Sequence, residues 1–183
     1  MKSRIFFLAS LWSVSNIANA QSSAILYGLM DAGVLYSNNS AGGKQYALSS
    51  GNLQGSRWGL RTIEDLGGGL SAAAVLESGF SVATGALGEG GEGFGRQAYV
   101  GISSARYGTV TLGRQYDSGI DYITGFVSSW QWAYAYGGHP GDLDNMLTNR
   151  ANNAIKFKSV DYDGFSFDGL YSLGGKPGEF SRN

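Results

Sequence analysis

Apolar and polar positions alternate along most of the chain with a period of two residues, the periodicity of a half-buried β-strand. Across residues 24–36, one parity is apolar, with Leu26 and Val34, while the other contains Asp31. A helical period of 3.6 residues is visible almost nowhere. The same alternation marks six further segments, so we predict seven strands, at residues 24–36, 56–62, 70–80, 94–103, 108–114, 153–160 and 165–172.

The connections between these strands alternate in length. Residues 66–69, 104–107 and 161–164 are short and rich in turn-forming residues, whereas the segments 37–55, 81–93 and 115–152 are long. Tight turns at one end and long loops at the other are typical of outer-membrane β-barrels. A soluble β-sandwich can alternate in the same way with its apolar face turned inward, so periodicity alone leaves both architectures open.

Composition supports an all-β protein and removes several kinds of site. The 183 residues include 30 glycines and 11 tyrosines but only two prolines and no cysteine, which excludes disulfides and cysteine-ligated metals. Outside the N-terminus no apolar run reaches 18 residues, so we expect no helical membrane span. The formal net charge of −1 predicts no basic patch for nucleic acid.

The first twenty residues have the pattern of a cleaved signal peptide. Lys2 and Arg4 form a basic segment, residues 5–14 are mostly apolar, and Ala18 and Ala20 occupy the small positions that signal peptidase requires. We therefore expect export, cleavage after Ala20, and one folded unit over residues 21–183.

Several segments together resemble the general porins of Gram-negative bacteria. They are LYGLMDAGV, SRWGLRTIEDLGGGLSAAAVLESGF, FGRQAYVGISSARYGTVTLGRQYD and FDGLYSLGGKPGEFSRN. The resemblance implies an antiparallel transmembrane β-barrel of the outer membrane, sixteen-stranded and usually trimeric, whose third extracellular loop folds into the lumen. It further implies that this chain is the N-terminal half of such a barrel, with residues 115–152 as the third loop and a truncation at Asn183.

A porin lumen explains the two arginines of SRWGLR. Parity places Arg57 and Arg61 opposite Trp58 and Leu60, so an aqueous lumen receives the charges while lipid meets the apolar side chains. An arginine facing lipid at mid-depth costs about 2–4 kcal/mol. By resemblance, the basic residues of the pore wall are Arg57, Arg96 and Lys156, with Arg61, Arg114, Arg150 and Lys158 as weaker candidates. Arg96 is assigned by motif, because alternation puts it on the side of Ala98 and Val100.

The expected third loop contains acidic and aromatic residues. Acids opposite a basic wall would create a transverse field in the constriction, although acids in a loop are also commonly just solvated. The aromatic run could guide sugars by stacking or could simply pack against the barrel, and packing is the commoner role. The acidic residues are Asp117, Asp121, Asp142 and Asp144, and the aromatic ones are Trp130, Trp132, Tyr134 and Tyr136.

The sequence therefore predicts a channel for passive diffusion of small hydrophilic solutes and ions, with no cofactor and no enzymatic activity. His139 is the only histidine, so no histidine cluster can bind a metal. Expected partners are membrane lipid, lipopolysaccharide and two further copies of the chain in a homotrimer, with no nucleic acid. Two alternatives remain: a carbohydrate-selective porin that uses the aromatic loop, and a structural or adhesive outer-membrane barrel.

Overall fold

The computed structural model describes residues 23–123 and 150–181. Within these ranges the chain forms nine strands, one short α-helix and a one-turn 3-10 helix at Glu89–Gly91. The other elements are β1 Ser23–Leu29, β2 Ala32–Ser40, β3 Gly43–Ser50, β4 Arg57–Gly67, β5 Leu70–Gly79, β6 Gln97–Ser104, β7 Gly108–Tyr116, α1 Ser118–Ile123, β8 Arg150–Lys158 and β9 Asp168–Ser172. Seven of the strands form one antiparallel sheet in the order β1-β4-β5-β6-β7-β8-β9.

The register places residues of one parity on a common face across the sheet. One cross-strand row runs Thr62, Ala74, Val100, Leu112 and Ile155, and it is almost entirely apolar. The opposite face carries tyrosine and charged residues, as in the row Tyr27, Gly59, Glu77 and Gln97. The sheet therefore has one apolar and one polar face, as the alternation predicted.

Burial decides between the two architectures that periodicity left open. Among the described residues, only Val75 and Ala154 are buried hydrophobics, each 2% exposed, whereas Glu77, Arg96 and Lys156 are among the buried polar side chains. On the apolar face of the sheet, by contrast, large side chains are exposed. A soluble sandwich would show the reverse, and an apolar face of this extent is the kind that lipid covers in an outer-membrane barrel.

All the long connections lie at one end of the seven-stranded sheet. At this end residues 30–56, 80–96 and 117–149 link the pairs β1/β4, β5/β6 and β7/β8, while the opposite end carries the shorter turns. The turn between β4 and β5 needs positive φ at Gly67, Gly68 and Gly69, which have φ of 80°, 62° and 79°. No helix among the described residues is long and apolar enough to cross a membrane.

The first predicted strand was wrong in its extent. Residues 24–36 divide between β1 and β2, and β2 pairs with β3 in a separate hairpin inside the segment that we expected to be a loop at 37–55. The described residues therefore form nine strands where seven were predicted. The interruption falls at Met30 and Asp31, and the Asp31 carboxylate accepts hydrogen bonds from the connection between β3 and β4.

Asp31 acts as a clamp on that connection. Its Oδ2 atom accepts hydrogen bonds from the backbone N–H groups of Leu53 at 2.6 Å and Gln54 at 2.8 Å. These two hydrogen bonds lower the pKa of Asp31, and the one from Gln54 has the larger effect. The backbone N–H of Asp31 donates to Ser56 Oγ at 2.9 Å. The separate hairpin is thereby tied to the start of β4.

Other predicted boundaries also need correction. The expected third loop, 115–152, begins later and ends earlier, because β7 continues to Tyr116 and β8 begins at Arg150. Strand β6 starts at Gln97 rather than at residue 94, and β9 starts at Asp168 rather than at 165. The predicted signal peptide, residues 1–20, lies outside the described residues, as do six of the predicted loop residues: Asp142, Asp144, Trp130, Trp132, Tyr134 and Tyr136.

Candidate functional site

The polar face of the sheet carries the predicted basic residues at two levels. Arg57 begins β4 and Arg96 directly precedes β6, at the end where the long connections lie, whereas Lys156 lies farther along β8, opposite Thr111. The strand register brings these elements side by side, since β4, β5, β6, β7 and β8 are consecutive neighbours. Residues far apart in sequence thus form a charged wall.

Arg57 and Arg61 are the two arginines of β4 on this face. Arg57 donates from Nη1 to the carbonyl oxygen of Gly55 at 3.1 Å and from Nη2 to Gln54 Oε1 at 2.9 Å. The guanidinium carbon of Arg61 lies 5.7 Å from the ring centroid of Tyr27, a cation–π distance. Within the described part of the chain neither arginine forms an ion pair, so neither is directly bound by a carboxylate there.

Arg96 is held by several groups of the same wall. Its Nε donates to Glu77 Oε1 at 2.8 Å and its Nη2 donates to the Tyr116 hydroxyl at 2.7 Å. The second oxygen of Glu77 accepts the hydroxyl of Tyr27 at 2.8 Å. The side chain packs over Gly79, where a Cβ atom would lie only 3.2 Å from Arg96 Cδ, so this position leaves little room for a side chain.

The location of Arg96 also resolves its ambiguous parity. Gly79 pairs with Arg57 and so belongs to the polar face, and Arg96 lies against it. Arg96 precedes the first regular pair of β6, Gln97 with Glu77, so strict alternation does not govern its side chain. Arg96 therefore lies against the polar face, and its role as a pore-lining residue stays a prediction.

Arg150 and Glu89 extend the network toward the connection between β7 and β8. Arg150 Nη1 contacts Glu89 Oε2 at 2.8 Å, and its guanidinium lies over the ring of Tyr116 at 4.7 Å from the centroid. Arg150 Nη2 also donates to the Tyr116 hydroxyl at 3.1 Å. Tyr116 therefore joins Arg96 and Arg150.

Lys156 contacts the beginning of the connection between β7 and β8. Its Nζ donates to Asp121 Oδ2 at 2.6 Å and to the carbonyl oxygen of Tyr116 at 3.2 Å. Lys158 is farther from the same carboxylate, at 3.9 Å. Asp117 instead accepts the backbone N–H of Ile120 at 3.1 Å, so its carboxylate stabilises the first turn of α1. Of the two predicted loop acids that the structure describes, Asp121 faces the basic wall and Asp117 caps the helix.

A polar cavity of about 210 Å³ lies on the wall around Lys156. It offers hydroxyl, amide, ammonium and carboxylate groups to the space inside, which suits hydrated solutes. Its lining includes Tyr99, Thr111, Gln115, Asp121, Lys156 and Lys158.

Sequence reasoning missed part of this wall. Glu77 could have been found, because it has the polar parity of β5 and no other acid lies on that strand. Glu89 and Tyr116 had no such signal, since one lies in a glycine-rich connection and the other follows a register irregularity in β7 and β8. Arg114 contacts Glu92 at 3.2 Å and the carbonyl of Gly95 at 2.6 Å, so it anchors the connection between β5 and β6.

Comparison with known proteins adds three similarities. The family model described as Gram-negative porin matches residues 8–182. An outer membrane porin protein of Bordetella pertussis is 32% identical over 187 residues, covering 94% of this chain and 48% of that protein. Outer membrane porin protein 32 of Delftia acidovorans is 36% identical over 181 residues, which cover 91% of this chain and 48% of that protein.

A solved structure agrees with these relatives. The anion-selective porin from Comamonas acidovorans superimposes with a TM-score of 0.70 at 31% identity, and the match covers 86% of this chain and 48% of that one. The chain spans about half the length of the relatives that it matches.

Proposed function

The chain belongs to the Gram-negative porin family and to the outer membrane, and we propose that the complete protein is a channel for passive diffusion of small hydrophilic solutes and ions, with a preference for anions. The observation that carries this proposal is the positive charge of Arg57 and Arg61, neither of which forms an ion pair among the described residues, on the polar face of a sheet whose other face is apolar.

The charged wall supports diffusion biased by an electric field rather than tight binding. Arg57 and Arg61 raise the local concentration of anions in an aqueous lumen. Lys156 faces Asp121 at the start of the third loop, which supports a constriction with a basic wall on one side and acids on the other. Such a transverse field orients dipolar solutes as they pass. No chemical step and no cofactor are needed for this function.

The likeness to an anion-selective porin supports the proposed ion preference. The assembly that we propose for the complete protein is a homotrimer, with lipid and lipopolysaccharide around the apolar outer face. Exposed apolar side chains such as Val100, at 55%, and Leu112, at 48%, provide the surface for those contacts.

The test is a planar-bilayer recording of the protein encoded by the complete reading frame. We expect ohmic single-channel steps, and in a potassium chloride gradient a reversal potential of the sign that indicates anion preference. Arg57→Gln should reduce the anion-to-cation permeability ratio. Arg106→Gln is the matched control, because Arg106 lies in the turn at the opposite end of the sheet, over the ring of Tyr107.

Absence of ohmic steps would contradict the channel and favour a structural or adhesive barrel. Steps with a cation preference would keep the channel but reject the anion bias. An equal effect of the two substitutions would show that the charge at Arg57 has no special position in the lumen.

A further inference from the structure

We propose that Glu89, supplied by the connection between β5 and β6, is a selectivity-determining residue that compensates the charges of Arg96 and Arg150 and so limits the anion preference of the channel. The proposal rests on the channel function above and adds to it a residue outside the strands and outside the third loop.

The connection that carries Glu89 folds back onto the end of β5. Phe80 forms a β-bridge with Leu87, and the backbone N–H of Gly88 donates to the carbonyl oxygen of Gly79 at 2.8 Å. These contacts place the following residue, Glu89, beside the charged wall. The connection is thus part of the wall at this point.

The backbone at Glu89 is adapted to that position. Its φ of 51° lies in the left-handed region, which non-glycine residues adopt at a cost and which persists where the surroundings hold it. Gly95 lies so close that a Cβ atom there would be 2.5 Å from Glu89 Cβ. A glutamate in a strained conformation, packed against a glycine that leaves room for it, indicates that this side chain is held in place.

The Glu89 carboxylate contacts both arginines that flank Tyr116. Its Oε2 lies 2.8 Å from Arg150 Nη1 and its Oε1 lies 3.6 Å from Arg96 Nη1. The side chain of Glu89 is 23% exposed, and those of Arg150 and Arg96 are 8% and 10% exposed. Glu89 therefore lies at the solvent-facing side of a largely buried network.

The charges of this network balance. Arg96 and Arg150 contribute two positive charges, and Glu77 and Glu89 contribute two negative ones. An ion in the lumen consequently meets little net charge from these four residues. Neutralising Glu89 leaves both guanidinium groups in place and adds one net positive charge to the wall. The anion-to-cation permeability ratio should therefore rise.

The experiment compares Glu89→Gln with Glu92→Gln in the complete protein, using reversal potentials in a dilute potassium chloride gradient where screening is weak. We expect Glu89→Gln to raise the anion-to-cation permeability ratio about twofold or more, the effect of one unit charge several ångströms away in water. Glu92 is the matched control, because it lies three residues later, pairs with Arg114 at 3.2 Å and has a 52% exposed side chain. Glu89→Asp keeps the charge and should stay close to the unmodified ratio.

A second pair of variants tests the same role of Glu89 without changing any charge. Gly95→Ala should displace Glu89 from the arginines and raise the anion preference, whereas Gly93→Ala meets no atom within 4 Å and should leave it unchanged. This pair carries the test if Glu89→Gln fails to assemble in the membrane.

An unchanged ratio in Glu89→Gln, or an equal rise in Glu92→Gln, would overturn the proposal. A change of conductance without a change of permeability ratio would assign Glu89 a structural role only. Failure of the channel function itself would look different, because the unmodified protein would then show no ohmic steps or no preference for anions.

Discussion

Arg57 and Arg96 are both predicted wall residues, yet their surroundings give them different roles. Arg57 donates to a carbonyl and a glutamine side chain, whereas Arg96 is buried and pairs with the buried Glu77 at 2.8 Å. Loss of one partner from a buried pair leaves an uncompensated charge, which costs several kcal/mol. The charge at Arg96 is therefore tied to the stability of the wall.

We predict that Arg96→Gln lowers the free energy of unfolding by about 3–5 kcal/mol, whereas Arg57→Gln changes it by less than about 1 kcal/mol. The measurement is urea unfolding of the complete protein in lipid vesicles. The double variant Arg96→Gln with Glu77→Gln should recover part of the loss, because neither partner is then left charged. Equal losses in Arg57→Gln and Arg96→Gln would contradict the structural role of Arg96.

A second residue-scale prediction concerns Asp31. Its folded pKa lies below the ordinary value of 3.8, so its stabilising contribution is complete above about pH 3.8 and is lost as the pH falls through the lower folded pKa. Amide hydrogen exchange at Leu53 and Gln54 should accelerate in that acidic range beyond its intrinsic pH dependence. In Asp31→Asn this additional pH dependence should disappear, and its persistence would assign it to another group.

Within each strand, the apolar face contacts lipid and the polar face contacts water. Leu112 lies near the middle of β7 on the apolar face, and Gln97 lies on the polar face beside Glu77. We predict that Leu112→Arg destabilises the complete protein in lipid by about 2–4 kcal/mol, the cost of an arginine facing the bilayer midplane. Gln97→Arg should cost much less, since its charge faces water and Glu77. Vesicle unfolding measures both, and similar losses would reject this assignment of the faces.

At the scale of the whole molecule, the seven-stranded sheet needs further strands to enclose a channel. Among the described residues β1 and β9 each pair with one neighbour only, and unpaired backbone groups are costly in lipid. We predict that the 183-residue chain alone gives no stable ohmic steps in a planar bilayer, while the complete protein does. Steps from the short chain would mean that several copies assemble into a pore.

Much of the strand structure was accessible from the sequence because alternation is a local property. Successive Cβ atoms of an extended chain point to opposite sides, so Trp58 and Leu60 could be separated from Arg57 and Arg61 without knowledge of any neighbour. Glycine and turn residues likewise marked the short connections, as at Gly68 and Gly69. Periodicity could not reveal the break at Asp31, whose carboxylate binds backbone groups more than 20 residues away.

The two-faced strands, the alternating loop lengths and the resemblance to porins could all be inferred from the sequence, since each is encoded in residues close together along the chain. Which charges meet depends instead on the three-dimensional packing. Glu89 and Arg150 are 61 residues apart, and their contact depends on the register of β5 through β8 and on the folding back of the connection between β5 and β6. Long-range ion pairs of this kind follow from the packing of the whole sheet, which no short stretch of sequence specifies.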